Sequence, residues 1–304
     1  MRSIVVVTLA LLVVGCSAAG GGASPSDPPS GSPSDSPSSV PWPSSSPGPA
    51  VGAIDHATGA THVVLRFEEG GGFIAPSFLA TQAPIFTLYG DGTVIFRNPL
   101  LDPLPAVGSV APFRPFRTVR LSEDQIQKLL ANALGPGGLG AARPDYRSDL
   151  IADAPTATFT IEAGGISKVV SVYALGIDTQ GGPDVAARAA FAKLATSLQD
   201  FDNGGTVPTD AFAPERYRGI LLEGQPGDPG ALPWPWPSVA PTDFMPDPDP
   251  SAFQLPKRVL SVAEVEALGV KPYQGGFQGV TLLGPRDGRI YTLSLRPLLP
   301  DESK

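Results

Sequence analysis

Asp145, Asp149 and Asp153 recur at every fourth position of RPDYRSDLIADAP. On a helix that spacing would stack three carboxylates on one face, where hard oxygen donors could accept a divalent cation. Pro144 and Pro155 bracket the run and Arg143 and Arg147 interrupt it, so a surface segment with local ion pairs accounts for it equally well. No calcium-loop spacing is present. Asp247 and Asp249 are separated by prolines and have the same bland reading. The two histidines, His56 and His62, stand six residues apart and outside any HExxH pattern. His62 leads into an apolar run, where a histidine caps a strand more often than it ligates metal. Ser167-Lys168 and Ser303-Lys304 are adjacent pairs, not the Ser-x-x-Lys spacing that puts both groups on one helix face. Neither a glycine-rich phosphate loop nor a GxSxG elbow occurs. The reading is therefore of no catalytic residue, no cofactor and no metal.

Cys16 is the remaining reactive residue and the only cysteine in the chain. It closes MRSIVVVTLALLVVGC, in which Arg2 precedes an apolar run from Ile4 to Val14 and then Gly15. A basic start, a short apolar core and a small residue before the cut make a secretory signal. The run is well short of the roughly 20 residues needed to cross a bilayer. The ending Val13-Val14-Gly15-Cys16 resembles the lipobox of bacterial lipoproteins, which implies cleavage before Cys16 and a diacylglyceryl group on its sulfur. Two acyl chains suffice for stable anchoring. With that thiol consumed, the mature chain has no disulfide to hold its core.

Residues 17–50 hold 12 serines, 9 prolines and 5 glycines in 34 positions. Such a composition cannot bury enough apolar area to offset the entropy of ordering, so residues 16–50 read as a lipidated, disordered tether. It would span about 30–35 Å as a coil and up to roughly 105 Å as extended polyproline. Residues 51–304 remain as a single domain. The whole chain has 42 % hydrophobic and 16 % charged residues, which suits a packed body, and its formal charge of −8 gives no electrostatic reason to bind nucleic acid.

Three hairpins are predicted. Asp91-Gly92 within IFTLYGDGTVIF signals a two-residue type I′ turn, setting Leu88 opposite Ile95 and Tyr89 opposite Val94. Gly164-Gly165 joins TFTI to VVSVY, with Phe159 opposite Val170 and Thr158, Thr160 and Glu162 turned to solvent. Asp287-Gly288 marks a third turn before Tyr291, Leu293 and Leu295. Thr61–Phe67 and Arg218–Glu223 are shorter strand candidates. Ser122 and Gln125 form a capping box with Leu121 stapled to Ile126, opening a helix that runs to Leu134 and stops at Gly135. A second helix starts near Pro183-Asp184 and aligns Ala187, Phe191, Leu194, Leu198 and Phe201. A short third opens on Ser261 and Glu264. The repeated order of hairpin then capped helix raises a duplicated ββα unit, although convergent capping would produce it too. The predicted class is α+β: antiparallel hairpin sheets, two main helices on one face, and a long Pro/Trp-rich loop.

That loop, Glu223 to Lys257, carries Trp234, Trp236, Phe244, Met245 and Phe253 among its prolines. A plain linker would not hold so many large apolar groups. They either strap a groove on the sheet or present a surface around Trp234 and Trp236 to a partner or ligand.

The blocks FTLYGDGTVIF (Phe86–Phe96), IADAPTATFTI (Ile151–Ile161), VSVYALG (Val170–Gly176) and YTLSLRPLLPDE (Tyr291–Glu302) resemble those of uncharacterised predicted lipoproteins of high-GC bacteria. The resemblance implies one domain and a place on the outer face of the cell membrane, held by the lipid. It implies no activity, ligand or catalytic residue. The expected function is a non-catalytic binding or envelope-associated module. The alternatives are an extracytoplasmic hydrolase with a loop-assembled site and a carrier of a small ligand under the aromatic loop.

Overall fold

In the computed structural model the described residues are 52–98, 101, 104, 106–108, 110–148, 151–177, 183–224, 230–246, 254–286 and 288–302. The signal, Cys16, the tether with Trp42, and Asp149, Asp247, Asp249, Phe253, Asp287, Ser303 and Lys304 lie outside them. Helix and strand are mixed, with strand dominant: four helices and fourteen strands among the described residues.

The first half of the chain holds β1 (Val63–Gly71), α1 (Pro76–Ala80), β2 (Phe86–Tyr89), β3 (Thr93–Phe96), β4 (Ala111–Pro112) and β5 (Arg117–Arg120). Next come α2 (Glu123–Leu134), β6 (Asp145–Tyr146), β7 (Pro155–Ala163), β8 (Ile166–Tyr173), α3 (Val185–Gln199) and β9 (Asp210–Ala211). The rest is β10 (Arg216–Glu223), β11 (Leu232–Pro233), β12 (Lys257–Ser261), α4 (Val262–Glu266), β13 (Phe277–Leu283) and β14 (Ile290–Pro297). One sheet runs β6-β8-β7-β1-β2-β3-β5-β9 and the other β11-β13-β14-β10-β12, with β4 also on β13. Pairing is antiparallel except where the two-residue strands β6 and β11 join β8 and β13.

Period-two alternation makes one face of the first sheet continuous and apolar. Leu65, Phe67, Phe86, Leu88, Val94, Phe159, Ile161 and Val170 share a core with Ile126, Leu130 and Ala133 of α2 and with Phe191, Leu194 and Leu198 of α3. Phe67 stacks on Phe159 at 4.8 Å, and Phe191 closes over Phe159 at 6.0 Å. The capping boxes of α2 and α4 form as their sequences predict, Ser122 with Gln125 and Ser261 with Glu264. No helix among the described residues is long and apolar enough to cross a membrane.

The hairpin turns diverge from expectation in an instructive way. Gly164-Gly165 makes the two-residue loop, both φ positive (60° and 73°), and Phe159 pairs with Val170. Glu162 is exposed, while Thr158 and Thr160 are only half exposed. In the first hairpin, however, Leu88 pairs with Val94 and Thr87 with Ile95, one residue away from the expected register. Gly92 donates to the Tyr89 carbonyl at 3.0 Å with φ of 87°, and the Asp91 carboxylate accepts from the Thr93 N–H at 2.9 Å. This is a three-residue loop ending in a left-handed glycine, which shifts the pairing by one. A β-carbon at Gly92 would lie 2.7 Å from the Leu121 carbonyl, so the loop also needs glycine for space. The shift puts Val94, not Ile95, on the Leu88 face, and leaves Ile95 on the other face with Tyr89. In the third hairpin the last strand pair is Leu283 with Ile290, followed by a Gly284 N–H bond to the Arg289 carbonyl at 2.7 Å, and the expected turn residue Asp287 lies outside the described residues. The order of hairpin then capped helix does not repeat: α3 follows the β7–β8 hairpin without a side-chain cap, and the capped α4 precedes the β13–β14 hairpin. Strand β7, the first of its hairpin, joins β1, whereas β14, the second of its own, joins β10.

The two sheets meet through the back of the first. Tyr89, Ile95 and Phe116 pack there with Leu299 from the segment after β14. Asp301 accepts two hydrogen bonds from Arg66, at 2.7 and 2.8 Å, and one from the Tyr89 hydroxyl at 2.6 Å. Glu302 grips Arg296 through both oxygens (2.7 and 2.6 Å) and caps the Leu299 N–H.

Candidate functional site

Residues 230–246, between β10 and β12, lie along the second sheet as a strap. At its start Leu232 and Pro233 pair with Leu282 and Leu283 of β13, an edge position where a proline without N–H is tolerated. The Trp234 indole N–H donates to the Val239 carbonyl at 2.6 Å and the Trp236 indole N–H to the Glu264 carbonyl at 2.8 Å. A single 3₁₀ turn, Pro241–Asp243, follows, with Asp243 accepting from the Ala240 N–H at 2.8 Å. Trp236, Val239 and Phe244 are buried with Tyr217, Leu260, Val265 and Leu293, so the strap completes the core of this sheet.

The strap also leaves an opening. A cavity of about 410 Å³ lies between it and the β13–β14 loop, lined by Trp234, Trp236, Pro241, Asp243, Arg286 and Tyr291 among others. The Trp234 ring is edge-on to Trp236 at 5.1 Å and 6.0 Å from Tyr291. Trp236 is only 4 % exposed, so Trp234, half-buried, is the accessible indole of the pair. Both indole N–H groups are committed to backbone carbonyls. What the cavity offers a ligand is aromatic and prolyl surface, with the exposed Arg286 guanidinium and Asp243 carboxylate at its side. A half-open apolar site with few polar groups is the form ligand pockets usually take. Tyr291 and Arg286 reach this site from a different hairpin, and no local signal ties them to the tryptophans.

The other candidates scatter. The aspartate run does not form a helix: Asp145 sits in β6 and pairs with Arg147, while Asp153 has a left-handed φ of 57°. Of the two readings of this run, Asp145 follows that of a surface segment with local ion pairs, and Asp149 lies outside the described residues. No group of three metal-ligating side chains occurs among the described residues. His56 bonds the Ala57 carbonyl at 2.8 Å and lies 3.3 Å from Glu123, and His62 lies 3.2 Å from Glu162 without hydrogen-bond alignment. Neither histidine lines the strap cavity. Lys168 donates to the carbonyls of Gly140 and Ala142 at 3.1 and 3.3 Å, away from any serine chemistry.

Behind the first sheet, burial raises the Glu68 carboxyl above its ordinary 4.5, against the opposing pull of Arg66. A group raised on folding contributes stability below its unfolded value and loses it as pH climbs through the folded one. Glu68→Gln should therefore raise the melting temperature at pH 7 and leave it nearly unchanged at pH 4, read by scanning calorimetry at both. Equal shifts at both pH values would sink this reading. Compared with protein families, curated proteins and solved structures, the chain matches none.

Proposed function

We propose that this protein is an extracytoplasmic, lipid-anchored binding module that captures its ligand in the strap cavity. The observation that carries the reading is the half-open space of about 410 Å³ walled by Trp234, Trp236 and Tyr291. The address rests on the signal and lipobox-like ending at Cys16, and on the Ser/Pro/Gly segment that would lift the folded part off the headgroups. An envelope protein or a small amphipathic molecule suits aromatic walls beside one guanidinium. A hydrolase is less supported, because neither histidine lines the cavity and each lies beside a different glutamate.

The test uses the full chain in cells. Cys16→Ser should move the protein out of the membrane fraction or leave its precursor uncut, and unchanged retention would refute the anchor. A photo-crosslinking residue at Arg286 should give one reproducible adduct that disappears in Trp234→Ala while the fold, followed by circular dichroism, persists. An adduct indifferent to Trp234 would remove the cavity from the binding role.

A further inference from the structure

Arg117 opens β5 opposite Phe96 of β3, Arg97 follows Phe96 directly, and Arg114 stands three positions before Arg117. The pairing of these two strands gathers three arginines from two stretches of an acidic chain. All three line a cavity of about 420 Å³, together with Val207, Pro208 and Thr209 from the segment after α3. The strap cavity shares none of its lining residues.

Neutral groups hold these side chains in place. Arg117 donates through Nε to the Thr209 hydroxyl at 2.9 Å and through Nη2 to the Thr209 carbonyl. Arg114 donates through Nε to the Leu101 carbonyl at 2.7 Å. The Arg97 guanidinium bonds the Ala83 carbonyl at 3.3 Å and lies 5.9 Å from the centre of the Phe116 ring. Carbonyls, a hydroxyl and a ring orient the three groups without cancelling their charge, and Arg117 makes no ion pair with a described residue. The acid among the lining residues is Asp202, 6 % exposed with its Oδ1 sealed from solvent, so it offers an entering ligand little. Asp200, beside Asn98, already accepts from the Asn98 amide at 3.3 Å and the Gly204 N–H at 2.7 Å. Basic side chains thus outnumber acidic ones three to one on this wall, and a recess lined mainly by one sign concentrates the opposite sign. Beside them the wall is apolar, with Leu101 and Val207 exposed and Pro115 and Pro208 between.

We propose that this cavity binds an organic anion, its carboxylate or phosphate head on the guanidinium groups and its apolar body against Leu101, Val207 and the two prolines. Guanidinium groups suit either head, since their paired N–H donors match two oxygens at once. An inorganic ion alone would fill a small part of 420 Å³ and leave the apolar wall wet.

Benzoate and phenyl phosphate probe the two heads. In calorimetric titration of the full chain in non-ionic detergent, at least one should bind saturably, and more weakly as salt rises. The tighter of the two identifies the head. Benzyl alcohol, of similar shape without the charge, should bind at least tenfold more weakly, and benzylamine should not bind. Arg117→Gln should weaken the anion at least tenfold. Because Arg117 also ties down Thr209, a second variant separates binding from folding. Val207→Asp sets a carboxylate on an exposed part of the wall, and should weaken the anion at least tenfold at an unchanged melting temperature. Trp234→Ala should alter neither quantity. Benzyl alcohol binding as tightly as the anions would overturn the proposal, as would inorganic phosphate matching phenyl phosphate. So would a Val207→Asp variant with full affinity, or no binding of either anion.

Discussion

Asp301→Ala is expected to cost the protein about 2–4 kcal/mol, measured as a lowered urea midpoint. The carboxylate is four-fifths shielded and holds Arg66, itself 14 % exposed, through two hydrogen bonds, and the fully buried Tyr89 through a third. Removing it strands a cation and a phenol between the two sheets. The loss comes from leaving partners unpaired more than from forfeiting attraction, so Arg66→Met together with Asp301→Leu should recover most of it. Glu302 adds a pH dependence to the same segment. Burial alone would raise its carboxyl, but the paired Arg296 and the Leu299 N–H hold it below its ordinary 4.5. A group lowered on folding contributes stability above its unfolded value and loses it as pH falls through the folded one. The C-terminal segment should thus loosen below about pH 4.5, seen as earlier proteolytic trimming of the C-terminus in acid. If Asp301→Ala shifts the midpoint by less than about 0.5 kcal/mol, the segment does not hold the sheets together.

Trp236→Ala should destabilise by about 3–5 kcal/mol, the range for deleting a large buried aromatic side chain. Its indole is 4 % exposed, packs beside Phe244 at 6.1 Å and ties the strap to α4 through the Glu264 carbonyl. Trp234→Ala removes a half-buried ring and leaves the Val239 carbonyl without its indole donor, for a smaller loss of about 1–2 kcal/mol. The two tryptophans, neighbours in sequence and alike in composition, therefore separate in use. Trp236 reports on the fold and Trp234 on the cavity. Equal losses from the two variants, read by chemical denaturation of the full chain, would contradict this division.

Much of the architecture is written in short-range chemistry. The Ser122–Gln125 and Ser261–Glu264 boxes, the stripe from Ala187 to Leu198 and the Gly164-Gly165 turn each depend on residues a few positions apart, so their geometry follows from sequence alone. The alternation that makes Leu65, Phe67, Phe159 and Val170 one face is equally local, because period two survives in any sheet that forms. The register of the first hairpin was not legible. Tyr-Gly-Asp-Gly admits both a two-residue and a three-residue loop, and the choice fell to contacts across the sheet, including the Leu121 carbonyl against Gly92. The aspartate run left a helix face and a surface segment equally open, and pairing over distance made the choice, since Asp145 joins β8 through β6.

What the sequence by itself determined is the likeness of Cys16 and its leader to a lipoprotein signal, the α+β composition, and the capped starts of α2 and α4. Each arises from neighbours along the chain. The tertiary structure decided which distant groups meet: Arg66 with Asp301, 235 positions apart, and Trp234 with Tyr291. Those meetings are set by how two sheets pack and where loops return, and that packing is a sum of many weak apolar contacts with no counterpart in any local pattern.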